Sequence, residues 1–551
     1  MFLSKQGKSH SHDEKGDNLE AKAQNLEETG QLQDGVGNED ASSGSSQTMP
    51  ADPAAVSGKS GKGKEWRSEQ SEPRKDNMEG SDRGQKTFAF WKVLLTSFAS
   101  VVVFIVLALA FYVEPKIPVD DALGQEITPH VQLPETTYPY VCIPTLAADE
   151  GVNPGVVKIQ ADESSTLVES RELTETGSNT FESTVKNGVI EAKSKSPLSF
   201  TFLTSSSSLI DGLSINATDT DTLTGISIAS CRLPSTHAWF VSGSTQVESS
   251  SVLVVANPGV NAIEVHLQAW GATGKLDSEP DVTVPAQSSK LINLAAYFPQ
   301  QERLALHAFS TGGTAVFNLH VSSLEGLSAR GFARVQGASE PTQRSIIPSV
   351  NPAAKDSTLR IANPGQKTAK VTVSLLTAKG QEPLPGAEDM TIDEGGVYDV
   401  SLSGMPDDVG AVVVQSDERI LTAAFGYFPE PTEEQPNRAS LSVWEPVQPS
   451  VETVALPAPA LGTYKAQTQV LVANLEDQPV EVSLAGTNYT LEPLQSKRVP
   501  VTGENIQLTS THPVVANVEV TYSKGSASHV VSYPMRPVSE SVPITNVTLR
   551  R

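Results

Sequence analysis

The sequence predicts an all-β protein in which tandem Ig-like β-sandwich domains lie outside a membrane, preceded by a disordered tail and one transmembrane helix. Three observations lead to this prediction. Residues Val93 to Val113 form an uncharged apolar run. Beyond it, short segments rich in Val, Thr, Ser and Leu alternate with period two and are broken at about eight- to twelve-residue intervals by Gly, Pro, Asn or Asp. A pattern of about 100 residues, the size of one sandwich domain, occurs three times in this region.

Residues 1–86 are predicted to be a disordered cytoplasmic tail. They are rich in Gly, Ser, Gln, Asn, Glu and Lys, with only scattered large apolar residues such as Leu26 and Trp66. Such a segment cannot bury enough apolar surface to offset the entropy lost on folding.

A single transmembrane helix is predicted within residues 87–113. The 21 residues from Val93 to Val113 carry no charge, and 14 of them are Val, Leu, Ile or Phe. At about 1.5 Å per residue they span roughly 30 Å, the thickness of a bilayer's hydrocarbon core. Trp91, Lys92 and Tyr112 lie where interfacial anchors belong.

Two alternatives to the membrane helix fit less well. A buried core helix usually keeps a polar face, which this run lacks. A cleaved signal peptide occupies roughly the first 15 to 30 residues, whereas this run begins far from Met1, although Ala108-Leu109-Ala110 fits a cleavage site.

Charge predicts the orientation of the chain. Nine Lys and Arg residues lie between Ser57 and Lys92, whereas Lys116 stands alone before Lys158. The positive-inside rule therefore puts the N-terminus in the cytoplasm and the C-terminal region outside the cell membrane. The net charge of −24 argues against a nucleic-acid partner, because an acidic surface repels a polyanion.

The two cysteines, Cys142 and Cys231, both fall in the predicted outer region, where disulfides persist. We expect them to form a disulfide. Two separate buried thiols are the alternative.

The internal repeat aligns on Asn257, Asn363 and Asn474, which are 106 and 111 residues apart. In each copy Ala precedes the Asn, and apolar residues recur six, eight and ten positions after it, on one face of a strand. The third copy has Leu-Glu after its Asn, so a different turn is expected there. The predicted turn residues are Asn257, Pro258, Gly259, Asn363, Pro364, Gly365 and Asn474.

The outer region is predicted to contain a stalk and four β domains. The predicted boundaries are 114–137 for the stalk, 138–245 for a divergent β domain with the disulfide, and 246–350, 351–450 and 451–551 for the three β-sandwich repeats.

Three motifs occur in an order that resembles an uncharacterised actinobacterial family of single-pass membrane proteins with a large secreted β region, known only as a domain of unknown function. They are C-R-L-P at 231–234, W-F-V-S-G at 239–243 and A-N-P-G at 256–259. The resemblance covers roughly residues 140–535 and implies an actinobacterial envelope location. It implies no catalytic residues, because the family has no established activity. Such proteins are often encoded beside envelope glycosyltransferases, which favours a role in envelope assembly.

The sequence contains only weak matches to catalytic and metal-binding motifs. Gly58-Lys59-Ser60 lacks the first glycine of a phosphate-binding loop. Ser183 and Lys186 fit S-x-x-K, and Ser227 follows Gly225-Ile226, but neither match has the partner residues of its motif. His266, His307 and His320 occur singly, and Asp219 and Asp221 supply half of a calcium loop. No catalytic residue, cofactor or metal ligand is therefore predicted.

The functional prediction is a non-enzymatic, membrane-anchored cell-envelope protein whose outer repeats bind or scaffold other molecules, with envelope proteins or glycans as partners. The alternatives are an accessory subunit of an envelope-glycan assembly machinery and, less favoured, a cryptic hydrolase. Trp239, Trp270 and Trp444 fit either buried anchors, which we favour, or surfaces that stack on sugar rings. Sequons at Asn216 and Asn488, and a third near the C-terminus, are candidate glycosylation sites only in a eukaryotic secretory protein.

Overall fold

The computed structural model describes residues 136–538, except 146–151, 164, 182, 187, 205–209, 339, 463, 504 and 526. These residues form 34 β-strands and one 3-10 helix, Leu294–Ala296, so the predicted all-β class is confirmed. The predicted tail and membrane helix, with Trp91, Lys92 and Tyr112, lie outside the described residues. So does the predicted stalk, apart from the start of the first strand at Thr136. Within the described ranges no helix is long and apolar enough to cross a membrane.

The N-terminal unit is built from nine strands. They are β1 (Thr136–Cys142), β2 (Gly155–Ala161), β3 (Thr166–Thr174), β4 (Gly177–Thr180), β5 (Thr184–Lys186), β6 (Val189–Ser194), β7 (Leu198–Thr204), β8 (Ile210–Asp219) and β9 (Thr224–Ser230). One sheet has the order β1-β7-β3-β4 and the other β5-β6-β2-β8-β9. Alternate residues such as Val157 and Ile159 from one sheet and Phe200 and Phe202 from the other share one apolar core.

Repeat 1 contains nine strands. They are β10 (His237–Phe240), β11 (Ser249–Asn257), β12 (Ile263–Gly271), β13 (Gly274–Lys275), β14 (Asp281–Val284), β15 (Ser288–Asn293), β16 (Ala305–Thr311), β17 (Val316–Glu325) and β18 (Ser328–Val335). The sheet orders are β10-β16-β12-β13, with β14 also on β12, and β15-β11-β17-β18. Residues of both sheets, including Leu253 and Leu267, form one core.

Repeats 2 and 3 contain eight strands each. In repeat 2 they are β19 (Thr342–Pro348), β20 (Lys355–Ala362), β21 (Ala369–Thr377), β22 (Gly380–Pro383), β23 (Met390–Ile392), β24 (Val397–Ser401), β25 (Ala411–Pro429) and β26 (Ala439–Trp444). In repeat 3 they are β27 (Ser450–Ala455), β28 (Lys465–Asn474), β29 (Val480–Leu484), β30 (Thr487–Leu491), β31 (Ser496–Pro500), β32 (Ile506–Lys524), β33 (Ala527–Pro534) and β34 (Arg536–Pro537).

The three repeats share one strand order, except that β16 and β17 of repeat 1 correspond to a single strand in the others. The first half of β25 pairs with β19 and β21, and its second half pairs with β20 and β26. The strand β32 joins the two parts of repeat 3 in the same way. In repeat 1 the strand is interrupted at Gly312, whose φ of +85° is a conformation that favours glycine.

Each repeat contacts the preceding unit through the same pair of strand positions, but with different chemistry. The pair consists of the residue three positions before the repeated Asn and its partner on the neighbouring edge strand. These pairs are Val254 with Leu291 in repeat 1, Arg360 with Asp399 in repeat 2, and Leu471 with Arg498 in repeat 3.

The first of these joints is apolar and the other two are held by arginine. Val254 and Leu291 pack with Leu173 of the N-terminal unit. Arg360 binds Asp399 through two hydrogen bonds of 2.7 and 2.9 Å and donates to Gly243 O of repeat 1.

Arg498 makes the corresponding contacts in the last joint. It binds Glu519 at 2.9 Å and donates to Val409 O of repeat 2 at 2.7 Å. A guanidinium suits such joints because its planar array of donors can bind a carboxylate and a carbonyl at once.

Candidate functional site at the junction of the four units

The last strand of each repeat meets β9 of the N-terminal unit. Strand β9 contacts β18, β26 and β33, and β26 contacts both β18 and β33. We call these four strands the four-strand junction. A Cβ on Gly331 of β18 would lie 2.2 Å from the backbone nitrogen of Leu441 on β26, so the two strands touch backbone to backbone. The chain is therefore folded back so that its first β unit also packs against its last.

Arg334 on β18 crosses from repeat 1 into the N-terminal unit. The residue is 4% exposed. Its Nη2 donates to Ser214 O at 2.8 Å and to Ser227 O at 2.7 Å, and its Nη1 donates to Ser214 Oγ and to Ile143 O. Its Nε donates to Ser227 Oγ, so all five guanidinium donors have acceptors. Burial lowers the pKa of Arg334 to about 9.

Gln336 and Glu445 form a second polar contact beside Arg334. The carboxylate of Glu445 accepts from Gln336 N at 2.9 Å and from Gly337 N at 2.6 Å. Arg232 donates to the carbonyls of the same two residues, at 3.0 and 3.2 Å. Burial raises the pKa of Glu445, and the nearby Arg232 opposes this shift.

Arg536 on the last strand closes the assembly onto the N-terminal unit. It donates to Tyr140 Oη at 2.7 Å and to Ile210 O. Asp211 beside it accepts from Leu456 N at 3.0 Å, which ties the start of repeat 3 to β8. Burial raises the pKa of Asp211, and the charge of Arg536 opposes this shift.

Two cavities lie where these contacts meet. A small cavity of about 70 Å³ is lined by residues of all four junction strands, including Arg334. A larger one, of about 420 Å³, opens beside it, and we call it the inter-unit cavity. Its lining includes Ser230, Cys231, Arg232, Leu233, Gly337, Ala338, Glu340, Thr342, Ser345, Ile420, Leu421, Thr422, Pro446, Val447, Gln448, Pro534, Met535, Arg536 and Pro537. Every unit thus contributes to its wall.

The predicted disulfide between Cys142 and Cys231 is confirmed. It joins the end of β1 to the residue after β9, and Val141 and Arg232 exchange two backbone hydrogen bonds next to it. A Cβ on Gly212 would lie 3.1 Å from the sulfur of Cys231, so this glycine leaves room for the bridge. The disulfide places Arg232 at the wall of the inter-unit cavity.

The repeated asparagines are structural. Asn257, Asn363 and Asn474 are fully buried. In each, the side-chain oxygen accepts from the backbone N–H two residues later, as in an Asx turn. The amide nitrogen donates to the carbonyl four residues later and lies within hydrogen-bond distance of two carbonyls before the edge strand.

The expectation of a different turn at Asn474 is wrong. The same set of bonds forms there, with Glu476 N as the donor at 2.9 Å. The pattern needs the Asn side chain and a backbone N–H two residues on. Neither the Pro nor the Gly of the first two copies supplies these groups, so Leu-Glu can replace them.

The tryptophans serve as anchors within the fold. Trp270 and Trp444 are 5% and 2% exposed. Trp270 packs with Leu421 and Ala423 of repeat 2, so it lies in a joint between repeats. Trp239 is half-buried and stacks on His307 with ring centroids 3.8 Å apart. Because that ring face is covered, Trp239 offers little surface to a sugar ring.

The other motifs take ordinary structural roles. The oxygen of Ser227 contacts Arg334, and Asp219 pairs with Arg438. Ser183 precedes the strand β5 instead of starting a helix. No group of three or more metal-binding side chains occurs in the described part of the chain.

Histidine and sequon positions are also accounted for. His266 pairs with Asp281 at 2.6 Å, and His320 is buried. Asn216 is 1% exposed and donates to Asn153 O, so its sequon is inaccessible in the folded chain, whereas Asn488 is exposed. The Gly58 motif and the third sequon lie outside the described residues.

Sequence reasoning missed the arginines that join the units. Arg334 and Arg360 alternate with buried apolar neighbours, which is the pattern of a strand whose other face meets water. Their one distinguishing signal is a long cation on a strand face whose neighbouring positions hold Ser, Thr or Ala. That signal is too weak to reveal that another unit covers this face.

The fold and the junction together define an all-β protein of four interlocked units with a cavity between them. The family model for a family of unknown function, DUF5719, matches residues 210–507, more than half of the 551-residue chain. The chain belongs to this family. The matched range starts at β8 and includes Cys231, Arg334, Glu445 and the three repeated asparagines. No curated protein matches the sequence significantly.

Proposed function

We propose that this is a non-enzymatic, single-pass cell-envelope protein of an actinobacterium, anchored in the membrane by Val93 to Val113. Its β units, which we take to be tandem Ig-like sandwiches, form one extracellular binding or scaffolding body. The observation that carries this proposal is the interlocking of all four units at the four-strand junction. A body held by buried arginines and a disulfide keeps its surfaces in fixed relative positions, as a scaffold requires.

The arrangement of the junction supports binding rather than catalysis. Its buried polar groups are engaged with one another: Arg334 with Ser214 and Ser227, and Glu445 with backbone N–H groups. A catalytic group needs a polar atom directed at a substrate. The inter-unit cavity is in the size range of ligand sites, roughly 300–1,000 Å³.

Membrane attachment is tested by fractionation and protease digestion. The full-length protein should stay with the membrane on alkaline carbonate extraction, and a variant lacking residues 93–113 should not. Protease added to intact cells should digest the region after residue 138 and spare an epitope within residues 1–86. Release of the full-length protein by carbonate, or digestion of the N-terminal epitope, would refute the anchored topology.

Scaffolding is tested by affinity purification from mild detergent with quantitative mass spectrometry. The wild type should recover envelope proteins that an Arg334→Ala variant recovers poorly, because loosening the junction moves its surfaces apart. An Arg419→Ala variant, changed at an exposed position of β25, is the matched control. Equal recovery by all three proteins would contradict the role of the interlocked body.

A further inference from the structure

The inter-unit cavity differs in charge from the rest of the protein. The chain carries a net charge of −24. The charged residues in the cavity wall are Arg232 and Arg536 on the cationic side and Glu340 on the anionic side. The side chain of Glu340 is 58% exposed and pairs with His237 at 3.1 Å, so it lies at the outer rim. The wall therefore presents an excess of positive charge inside an acidic protein.

Both arginines are held in place by groups outside the cavity. Arg232 donates to Gln336 O and Gly337 O, and Arg536 donates to Tyr140 Oη and Ile210 O. A ligand therefore meets guanidinium groups whose positions are already fixed, which reduces the entropy lost on binding.

The acids nearest to the two arginines do not line the cavity. Glu445 lies near Arg232, and its two oxygens accept from Gln336 N and Gly337 N. Asp211 lies near Arg536, and its oxygens accept from Gly212 N and Leu456 N. These carboxyl groups are held by backbone donors outside the wall, so they do not occupy the cavity.

The remaining wall is mainly apolar. Leu233, Ile420, Leu421, Val447 and Met535 come from three different units. A cavity with an apolar body and a few fixed polar groups is the usual form of a small-ligand site. Its two cations select for an anionic group, since guanidinium donors match the oxygens of a carboxylate or a phosphate.

We propose that the inter-unit cavity binds a small organic anion, a carboxylate or phosphate carried on an apolar group. This inference extends the proposed binding function by naming the class of ligand. Because all four units line the cavity, the ligand binds only the interlocked form and stabilises it against unfolding.

The test measures binding of four probes of similar shape to the full-length protein in lipid nanodiscs by calorimetry. Benzoate and phenyl phosphate carry an anion, benzyl alcohol is neutral, and benzylamine is a cation. We expect one saturable site for the anions, with affinity at least about tenfold higher than for the other two, or about 1.4 kcal/mol. Competition by acetate or by inorganic phosphate then distinguishes a carboxylate site from a phosphate site.

Two variants test whether the site is this cavity. Thr342→Trp and Gln448→Trp fill the cavity from partly or fully exposed positions in its wall and leave both arginines in place. Thr391→Trp, at an exposed position on β23 outside the wall, is the matched control. Circular dichroism checks that each variant is folded.

We expect both cavity variants to lose anion binding and the control to keep it. Equal binding of benzylamine and benzoate, or unchanged anion binding in both folded cavity variants, would overturn the inference. If binding is absent but envelope proteins still copurify with the wild type, the ligand class is wrong and the scaffold proposal stands. If anions bind but nothing copurifies, the scaffold proposal is wrong and the cavity assignment stands.

Discussion

Replacing Arg334 by alanine should loosen the four-strand junction. The guanidinium donates to three backbone carbonyls, those of Ile143, Ser214 and Ser227, and to two hydroxyl groups. The hydroxyl of Ser214 also donates to Ile143 O and Ala229 O, so the two serines keep other partners. The main loss therefore falls on the buried carbonyls.

The size of the effect follows from these bonds. Each buried acceptor left without a donor costs about 1–3 kcal/mol. Water can enter through the adjacent cavity of about 70 Å³ and satisfy part of this need, which keeps the cost per carbonyl near the lower value. Three carbonyls then give a loss of about 3–5 kcal/mol, the range observed when one partner of a buried polar network is removed.

The assay is equilibrium urea unfolding of the full-length protein, followed by circular dichroism in the β region. Arg334→Lys keeps the charge but offers three donors in place of five, so it should fall between the wild type and Arg334→Ala. The exposed-site variant Arg419→Ala should stay within about 0.5 kcal/mol of the wild type. If Arg334→Ala behaves like Arg419→Ala, the junction is not held by this side chain and the reasoning fails.

Three further predictions concern the disulfide, the repeated asparagine and acid stability. Changing Cys142 and Cys231 together to alanine opens a link of sequence separation 89, and the free energy of unfolding should fall by about 4.5 kcal/mol on the chain-entropy model. Thermal unfolding with and without reductant measures this, and a variant as stable as the oxidised wild type would contradict it. Asn363→Ala should cost roughly 2–4 kcal/mol, because the buried carbonyls and the turn N–H lose their partner; a change in melting temperature below that of an exposed Asn→Ala control would exclude this role. Burial lowers the pKa of His320 to about 3, below its ordinary value of 6.5, so the unfolded chain binds a proton that the native chain does not. The free energy of unfolding should therefore fall between about pH 6.5 and pH 3, by up to about 1.4 kcal/mol per pH unit. His320→Asn should reduce this slope in urea titrations at several pH values, and an identical slope would rule out the explanation.

Local patterns carried the parts of the fold that depend on a single strand or turn. Period-two alternation indicated strands such as β12, where Ile263, Val265 and Leu267 face the core. The three asparagines were found because a buried turn requires the same side chain each time it recurs. The disulfide followed from the presence of two cysteines in a region predicted to be extracellular.

Contacts between units could not be derived from such patterns. The strand face that carries Arg334 alternates with a buried face, as it would if it met water, and nothing local indicates that the N-terminal unit covers it. The break at Gly312, which separates β16 from β17, is likewise visible only against the continuous strands of repeats 2 and 3. The inter-unit cavity depends on the packing of four segments distant in sequence, so no motif marks it.

The three joints, with their different chemistry at equivalent positions, also bear on misassembly. Similar repeats within one chain can dock on the wrong neighbour while they fold. If repeat 3 docked on the N-terminal unit, Arg498 would meet the apolar surface around Leu173 and lose its carbonyl acceptors on repeat 2. If repeat 1 docked on repeat 2, Leu291 would leave Val409 O without its donor. The cost of a buried cation or an unpaired carbonyl thus favours one folding order, in which each unit accepts the repeat that follows it in the chain.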